Sequence, residues 1–471
     1  MQRKKGRLEG KRSSFWTLLS LFLVLLFLLG GQMAWAGNLR RIVVFQEGTP
    51  EEVQEQIIAA SGSRLLAHIS LVDAVVIRLP RGGEEAALAS LQSSPEVVEI
   101  ETDASIAAQA LSGGIQGSFI TPVDPAEVAA GYPWNLEQIV LNRLSPDGHK
   151  GQGIHIGILD TGVDLSHPAF VEPTNYLYNA RAGEDPQDWV DRNGHGTHIA
   201  GIIAASLQDP YFRGIAPRAK LHVIKVLDDA GGGYLSDLIQ GLTRLLKFAR
   251  NHPAERIVLN MSLGFSTDSF LLHRVVRLLD AEGVVMVAAA GNYDTTGASG
   301  EGAAGEGAAG EGAAGEGAAG TGCASGEGAA GEGAAGEGAA SGGGCTALEQ
   351  VKYPARYPET IAVGATDISA RIAPYSIRGV EVDVVAPGGT HTDPIFSTDL
   401  LGGYGWGSGT SQAAAHVSGV VALMLQVNPD LTPQEVRQIL QETAIDLGEP
   451  WEAQGAGLIN AVRAVRQAGR W

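Results

Sequence analysis

Apolar and polar positions along the chain fall into three patterns. Between about residues 38 and 105, short apolar runs alternate with segments of helical spacing. Arg41–Phe45, Ala74–Leu79 and Val97–Ile100 read as strands, and Glu84–Leu91 reads as a helix. Thr49-Pro50-Glu51-Glu52 combines a capping hydroxyl, a proline at the first helical position and acids just behind it, so a further helix is expected there. Two helices among strands in so short a stretch predict a small ferredoxin-like α+β unit. From about Tyr132 the runs lengthen. Ile154–Leu159, Leu221–Val226, Ile257–Met261 and Val284–Ala289 are nearly continuous apolar stretches, as expected of strands buried on both faces. Ile199–Ala205, Leu235–Phe248 and Phe270–Leu279 lie between them with helical periodicity, and Thr432-Pro433-Gln434-Glu435 opens a later helix with a full capping box. This alternation predicts an α/β fold: a mostly parallel sheet with helices on both faces.

The third pattern is the absence of one. From Gly300 to Ala340 the pentapeptide Gly-Glu-Gly-Ala-Ala recurs seven times. It holds no large apolar residue, can bury little, and is expected to form a disordered, inert insertion over residues 296–346. A long insertion costs little more loop-closure entropy than a short one.

Length and composition refine this picture. With 471 residues the chain exceeds one compact core and predicts two or three units. A net charge of −19 argues against a nucleic-acid partner, although many of the glutamates sit in the repeat. The two cysteines, Cys323 and Cys345, also lie in the repeat, so a bridge between them would tie the tract to itself, and the sequence leaves their pairing open. At the N-terminus, Arg3, Lys4, Lys5, Arg7, Lys11 and Arg12 precede an apolar run from Phe15 to Leu29 and then Ala34-Trp35-Ala36. These features read as a secretory signal over residues 1–36, with an uncleaved membrane anchor as the competing interpretation. The protein is expected to be secreted or otherwise extracytoplasmic. Residues 106–130 are rich in Gly, Ser, Ala and Pro and read as a linker. The expected organisation is a signal (1–36), a small domain (37–105), this linker, and a large domain (131–471).

Three short motifs carry candidate chemistry: Asp160-Thr161-Gly162, His195-Gly196-Thr197-His198 and Gly409-Thr410-Ser411. A serine hydroxyl is a weak nucleophile at neutral pH, so it needs a neighbouring base and an acid to orient that base. Asp160 ends a predicted strand, where parallel sheets build their sites. Ser411 opens an Ala-rich helix, whose N-terminal N–H groups favour developing negative charge. Two rivals stand beside this pattern. Asp-Thr-Gly also occurs in aspartic proteases, and His195 with His198 suggests a metal-dependent hydrolase, although zinc hydrolases of the His-Glu-x-x-His type space their ligands i and i+4 around a Glu base.

In the order Asp, His, Ser, the set resembles the subtilisin-like serine proteases, over about Tyr132–Ala464. The resemblance implies Asp160, His195 and Ser411 as catalytic residues, with His198 a packed helical histidine. Ala288-Ala289-Ala290-Gly291-Asn292 resembles the family's oxyanion segment and implies Asn292 as a donor. Ser262, Leu263 and Gly264 would line the primary specificity pocket, and Gly231, Gly232 and Gly233 would pair with a peptide backbone. Gln412 and Ala415 replace the family's Met and Pro beside the serine. The small domain then corresponds to an inhibitory propeptide. No cofactor is implied for catalysis, but structural calcium is, with Asp209 in the loop Ser206–Arg213 as a thin candidate ligand. The implied function is an exported serine endopeptidase, monomeric, made as an inhibited precursor, with polypeptide substrates and its own propeptide as partners. The alternative is a non-catalytic binding or scaffold protein on the same fold.

Overall fold

The two central strands of the small domain are apolar on both sides because each face meets a different partner. The computed structural model describes residues 39–108, 121–123, 133–144, 148–170, 176–206, 213–293 and 350–471. They belong to one compact unit, and residues 294–349 lie outside the described residues. Strand β1 (Arg40–Phe45), helix α1 (Glu51–Ala60), β2 (Arg64–Ile69), β3 (Ala74–Arg78), α2 (Glu84–Gln92) and β4 (Val97–Thr102) form an antiparallel sheet of order β2-β3-β1-β4. This is the expected ferredoxin-like arrangement, with β2 as a strand the sequence pattern did not announce. Val43, Phe45, Val75 and Ile77 pack with Ile58, Ala87 and Leu91 of the domain's own helices. The alternate residues Ile42, Val44, Ala74 and Val76 share a core with Leu238 and Leu242 of the large domain. Burying such a Val or Ile contributes about 1.5–3 kcal/mol, so the small domain docks through a true apolar face. The start of α1 differs from expectation. Pro50 is the cap residue, without a side-chain bond to the helix, and the Thr49 hydroxyl donates to the Gln46 carbonyl at 2.7 Å instead.

Strand β5 (Ser105–Ala108) and strand β6 (Thr121–Val123) follow. Residues 106–108, expected in the linker, are therefore strand. Their small side chains resemble a linker in composition, but their backbone partners come from distant parts of the chain.

The large domain continues with β7 (Ile154–Asp160), β8 (Tyr176–Asn179), α3 (His195–Ala204), β9 (Lys220–Lys225), β10 (Gly232–Tyr234) and α4 (Leu235–Asn251). Then come β11 (Arg256–Met261), β12 (Leu263–Gly264), α5 (Phe270–Ala281), β13 (Val285–Ala289), β14 (Thr360–Thr366) and β15 (Val382–Pro387). Seven of these strands form one sheet of order β15-β14-β13-β11-β7-β9-β8, parallel throughout. The chain closes with β16 (Ile395–Thr398), β17 (Tyr404–Gly407), α6 (Thr410–Val427), α7 (Pro433–Thr443) and α8 (Ala461–Ala468). One face of the sheet, with Ile156, Ile158 and Val258, packs on Ile199 and Ile202 of α3 and Val420 and Val421 of α6. Its other face, with Leu159, Leu259 and Met286, packs on Leu242 of α4 and Leu272 of α5. That two-sided burial is what the continuous apolar runs predicted. The capping box of α7 is present: the Glu435 N–H donates to Thr432 Oγ1 at 3.2 Å and the Thr432 N–H to Glu435 Oε2 at 2.8 Å.

Because the sheet is parallel, Asp160, Met261 and Ala289 all end strands at the same edge. Residues 1–36, the repeat with Cys323 and Cys345, and Asp209 lie outside the described residues. Among the described residues, no helix is long and apolar enough to cross a membrane.

Candidate active site

Asp160 is the last residue of β7 and fully buried. Its Oδ1 accepts the Thr161 N–H at 2.7 Å. The chain then turns at Gly162, at φ 109°, where a Cβ would run into the backbone carbonyl of Trp189. That turn leaves Asp160 facing α3, whose first residue is His195. His195 Nδ1 lies 2.7 Å from Asp160 Oδ1, and both side chains are sealed from solvent. The other ring nitrogen, Nε2, is buried and has no hydrogen-bond partner among the described residues.

Ser411 is the second residue of α6, a helix buried on all sides over most of its length. Its hydroxyl donates to the Ser262 carbonyl at 2.9 Å, and the Ser262 hydroxyl donates back to the Ser411 carbonyl at 3.0 Å. The described hydrogen bonds hold none between Ser411 Oγ and His195 Nε2, so the hydroxyl is parked on Ser262. Asn260 supports this junction. Its Nδ2 donates to Ser262 Oγ at 2.9 Å, and its Oδ1 accepts from Ser418 at 3.0 Å. Sequence reasoning passed over Asn260, although an amide inside an otherwise apolar strand was a usable signal.

Beyond the end of β13, Asn292 is held by its amide oxygen. Oδ1 accepts the Thr410 N–H at 3.0 Å and the Thr410 hydroxyl at 2.9 Å, which leaves Nδ2 as the donor end of the amide. Gln412 is fully buried, and neither of its amide atoms has a hydrogen-bond partner among the described residues. At Ala415, where the family carries proline, α6 runs on without interruption.

His198 Nε2 donates to the Ile395 carbonyl at 3.2 Å. Burial, with the neighbouring His195 adding to it, lowers its pKa to about 3, so it is neutral. His195 Nδ1 is thus committed to Asp160 and His198 Nε2 to a backbone carbonyl. Among the described residues, no group of three or more His, Cys, Asp or Glu side chains could hold a metal.

The glycines and the Ser262–Gly264 segment surround one extended strand. β5 pairs antiparallel with β10 on one side (Gly233 with Ile106, Gly232 with Ala107) and with β12 on the other (Gly264 with Ala107, Leu263 with Ala108). The Ala108 N–H also donates to the Gly231 carbonyl at 3.0 Å. A side chain at Gly233 would clash with the Val226 carbonyl, so β10 needs glycine to lie this close. Two acids just before β5 cap helices of the large domain. Asp103, fully buried, accepts the Ser236 N–H at 2.8 Å and the Ser236 hydroxyl at 2.9 Å at the start of α4, along with Arg40 Nε at 2.7 Å. Glu101 accepts the Leu271 N–H at 2.8 Å at the start of α5, and burial raises its pKa. Asp237, in the first turn of α4, is pushed up to about 6 by burial, with the neighbouring Asp103 adding to the rise.

The subtilase family profile matches residues 151–458, more than half of the chain. Subtilisin E of Bacillus subtilis (strain 168) is 31% identical over 418 residues, which cover 88% of this chain and 86% of that protein. The subtilisin of Bacillus pumilus is 33% identical over 343 residues, covering 72% of this chain and 100% of that protein. Among solved structures, fervidolysin of Fervidobacterium pennivorans, a keratinolytic enzyme related to subtilisin, superposes with a TM-score of 0.65 at 22% identity. That likeness covers 91% of this chain and 60% of fervidolysin and shows the shared fold. Subtilases need no cofactor for catalysis, and their substrates are polypeptides. The chain belongs to the subtilase family and is a subtilisin-type serine endopeptidase.

Proposed function

We propose that Asp160, His195 and Ser411 are the catalytic residues of an enzyme made as an inhibited precursor. The observation that carries this assignment is the buried 2.7 Å contact between His195 Nδ1 and Asp160, which leaves Nε2 as the basic nitrogen. In the reaction, the Ser411 hydroxyl leaves the Ser262 carbonyl and gives its proton to His195 Nε2 as Oγ attacks the scissile carbonyl. Asp160 holds the ring and stabilises the imidazolium. The oxyanion is received by Asn292 Nδ2 and the Ser411 N–H at the head of α6. Protonated His195 then gives its proton to the departing amine. A water molecule, deprotonated by His195, releases the acyl group and restores Ser411.

Substrate binds as an extended strand between β10 and β12, through Gly231, Gly232 and Gly233 on one side and Ser262, Leu263 and Gly264 on the other. In the precursor β5 fills this slot, which supports residues 37–105 and the strand after them as an intramolecular inhibitor. The register runs from Gly264 opposite Ala107 to Leu263 opposite Ala108, toward Ser262 and the Ser411 hydroxyl. Cleavage is therefore assigned to the bond after Gln109, with Ala110 as the new N-terminus. Residues 1–36 direct export as a cleaved signal, and the mature enzyme acts as a monomer. Calcium at Asp209 would be structural and takes no part in the steps above. The test is expression of the wild-type chain beside Ser411→Ala. The wild type should yield protein beginning at Ala110, and the variant should remain uncut at that bond. Equal processing of both chains would overturn the assignment of Ser411.

A further inference from the structure

Asp191 is a buried carboxylate with no step in the reaction, yet it joins the two elements that carry the acid and the base. It is 3% exposed and collects five donors. Oδ1 accepts the Thr161 hydroxyl at 2.9 Å, the Asn193 N–H at 2.9 Å and the Gly194 N–H at 3.0 Å. Oδ2 accepts the Thr197 N–H at 2.9 Å and the Thr197 hydroxyl at 2.7 Å. Four of these donors belong to the first turn of α3 and its approach, and the fifth belongs to the turn that follows Asp160. Thr161 completes the bridge: its Oγ1 accepts the Gly196 N–H at 3.0 Å, and its own N–H donates to Asp160 Oδ1 at 2.7 Å, the oxygen that His195 Nδ1 also contacts. Thr197 Oγ1, held by Asp191, in turn accepts the Asp164 N–H at 2.9 Å.

A carboxylate at a helix start satisfies N–H groups that have no partner within the helix. Here that cap is also fastened to the neighbouring strand end. Rotation or slippage of α3 relative to β7 would break several bonds to one buried charge at once, and such bonds are costly to leave unmade. The dyad distance is thus fixed from outside the dyad. We propose that Asp191 is a positioning residue of the reaction: it sets the relation of His195 to Asp160, so that the imidazole meets the carboxylate through Nδ1 and keeps Nε2 for Ser411. This inference rests on the assignment of the triad given above.

The experiment is a double-mutant cycle on the processed full chain, with the propeptide removed in trans by a trace of wild-type enzyme and rates read on a fluorogenic peptide. Asp191→Asn keeps the shape of the side chain but sets an NH2 among donors. It should lower kcat about 100-fold, as a small misplacement of catalytic groups does, and leave KM within about twofold. In an Asp160→Asn background, which should itself cost about 10⁴-fold because the ring takes the wrong tautomer, the same substitution should change kcat by less than about twofold, because Nε2 no longer serves as the base that the geometry presents to Ser411. Equal losses in both backgrounds, a change in KM alone, or an unchanged kcat would each overturn the inference. If Asp191→Asn does not fold, Thr161→Val carries the test, since it removes one bridge and leaves Asp191 its other donors. It should lower kcat about 10-fold with the same disappearance in the Asp160→Asn background, and an additive loss would overturn the proposal. Asp160→Asn with full activity would instead refute the triad assignment itself.

Discussion

Asp103→Ala should loosen the hold of the N-terminal domain on the enzyme after processing. Its carboxylate is fully buried and reaches across the domain boundary to Ser236, taking the backbone N–H at 2.8 Å and the hydroxyl at 2.9 Å. The contact with Arg40 lies within the N-terminal domain and does not count toward docking. Two hydrogen bonds to a charged acceptor, at about 1.5 kcal/mol each, amount to about 3 kcal/mol, and the positive end of α4 works in the same direction. At 1.4 kcal/mol per decade this weakens inhibition about 100-fold. The assay is the lag between processing and full activity on a fluorogenic peptide, together with the inhibition constant of the cleaved N-terminal domain. Asp103→Asn, which keeps one acceptor oxygen but no charge, should fall between wild type and Asp103→Ala. An inhibition constant for Asp103→Ala within about threefold of wild type would refute the assigned energetics.

Gln412→Met should stabilise the enzyme by about 1–3 kcal/mol, because it removes two buried polar atoms that have no partner among the described residues. The transition in urea should move to higher concentration, while activity becomes sensitive to peroxide through the new thioether. Stability should also fall on acidification below pH 6.5. Burial holds His198 and His222 at about 3 and His416 at about 4, so between those values and 6.5 the unfolded chain binds protons that the folded chain does not. Asp237, raised to about 6, opposes this trend between its unfolded value and 6, because there the folded chain holds the extra proton. His222→Phe should therefore flatten the dependence of unfolding free energy on pH by about 1.4 kcal/mol per unit between pH 4 and 6, and an unchanged slope would contradict the shift. Thr432→Ala removes the capping hydroxyl of α7 and should cost about 1 kcal/mol in the same urea titration.

Much of the fold was written in the spacing of apolar residues, because burial on both sheet faces leaves a signature that needs no long-range knowledge. Ile154–Leu159 and Ile257–Met261 are strands β7 and β11 almost to the residue. The capping box at Thr432 was legible for the same reason, since all its bonds lie within one turn. Residues 105–108 were not legible. Their strand character comes entirely from backbone pairing with Gly232–Tyr234 and Leu263–Gly264, more than a hundred positions away, and their side chains are those of a linker. Thr49 shows the limit of a local rule: proline set the helix start one residue later than the hydroxyl suggested. In the site, the order of Asp160, His195 and Ser411 named the chemistry, while Asp191 and Asn260 went unnoticed. Their partners are backbone N–H groups and buried hydroxyls, which carry no pattern in a sequence.

Labelling of the processed enzyme with a fluorophosphonate, followed by peptide mapping, tests the assignment of the nucleophile most directly. One adduct should form, on Ser411, and it should be absent from Ser411→Ala. An adduct on another residue, or one that persists in Ser411→Ala, would contradict the account.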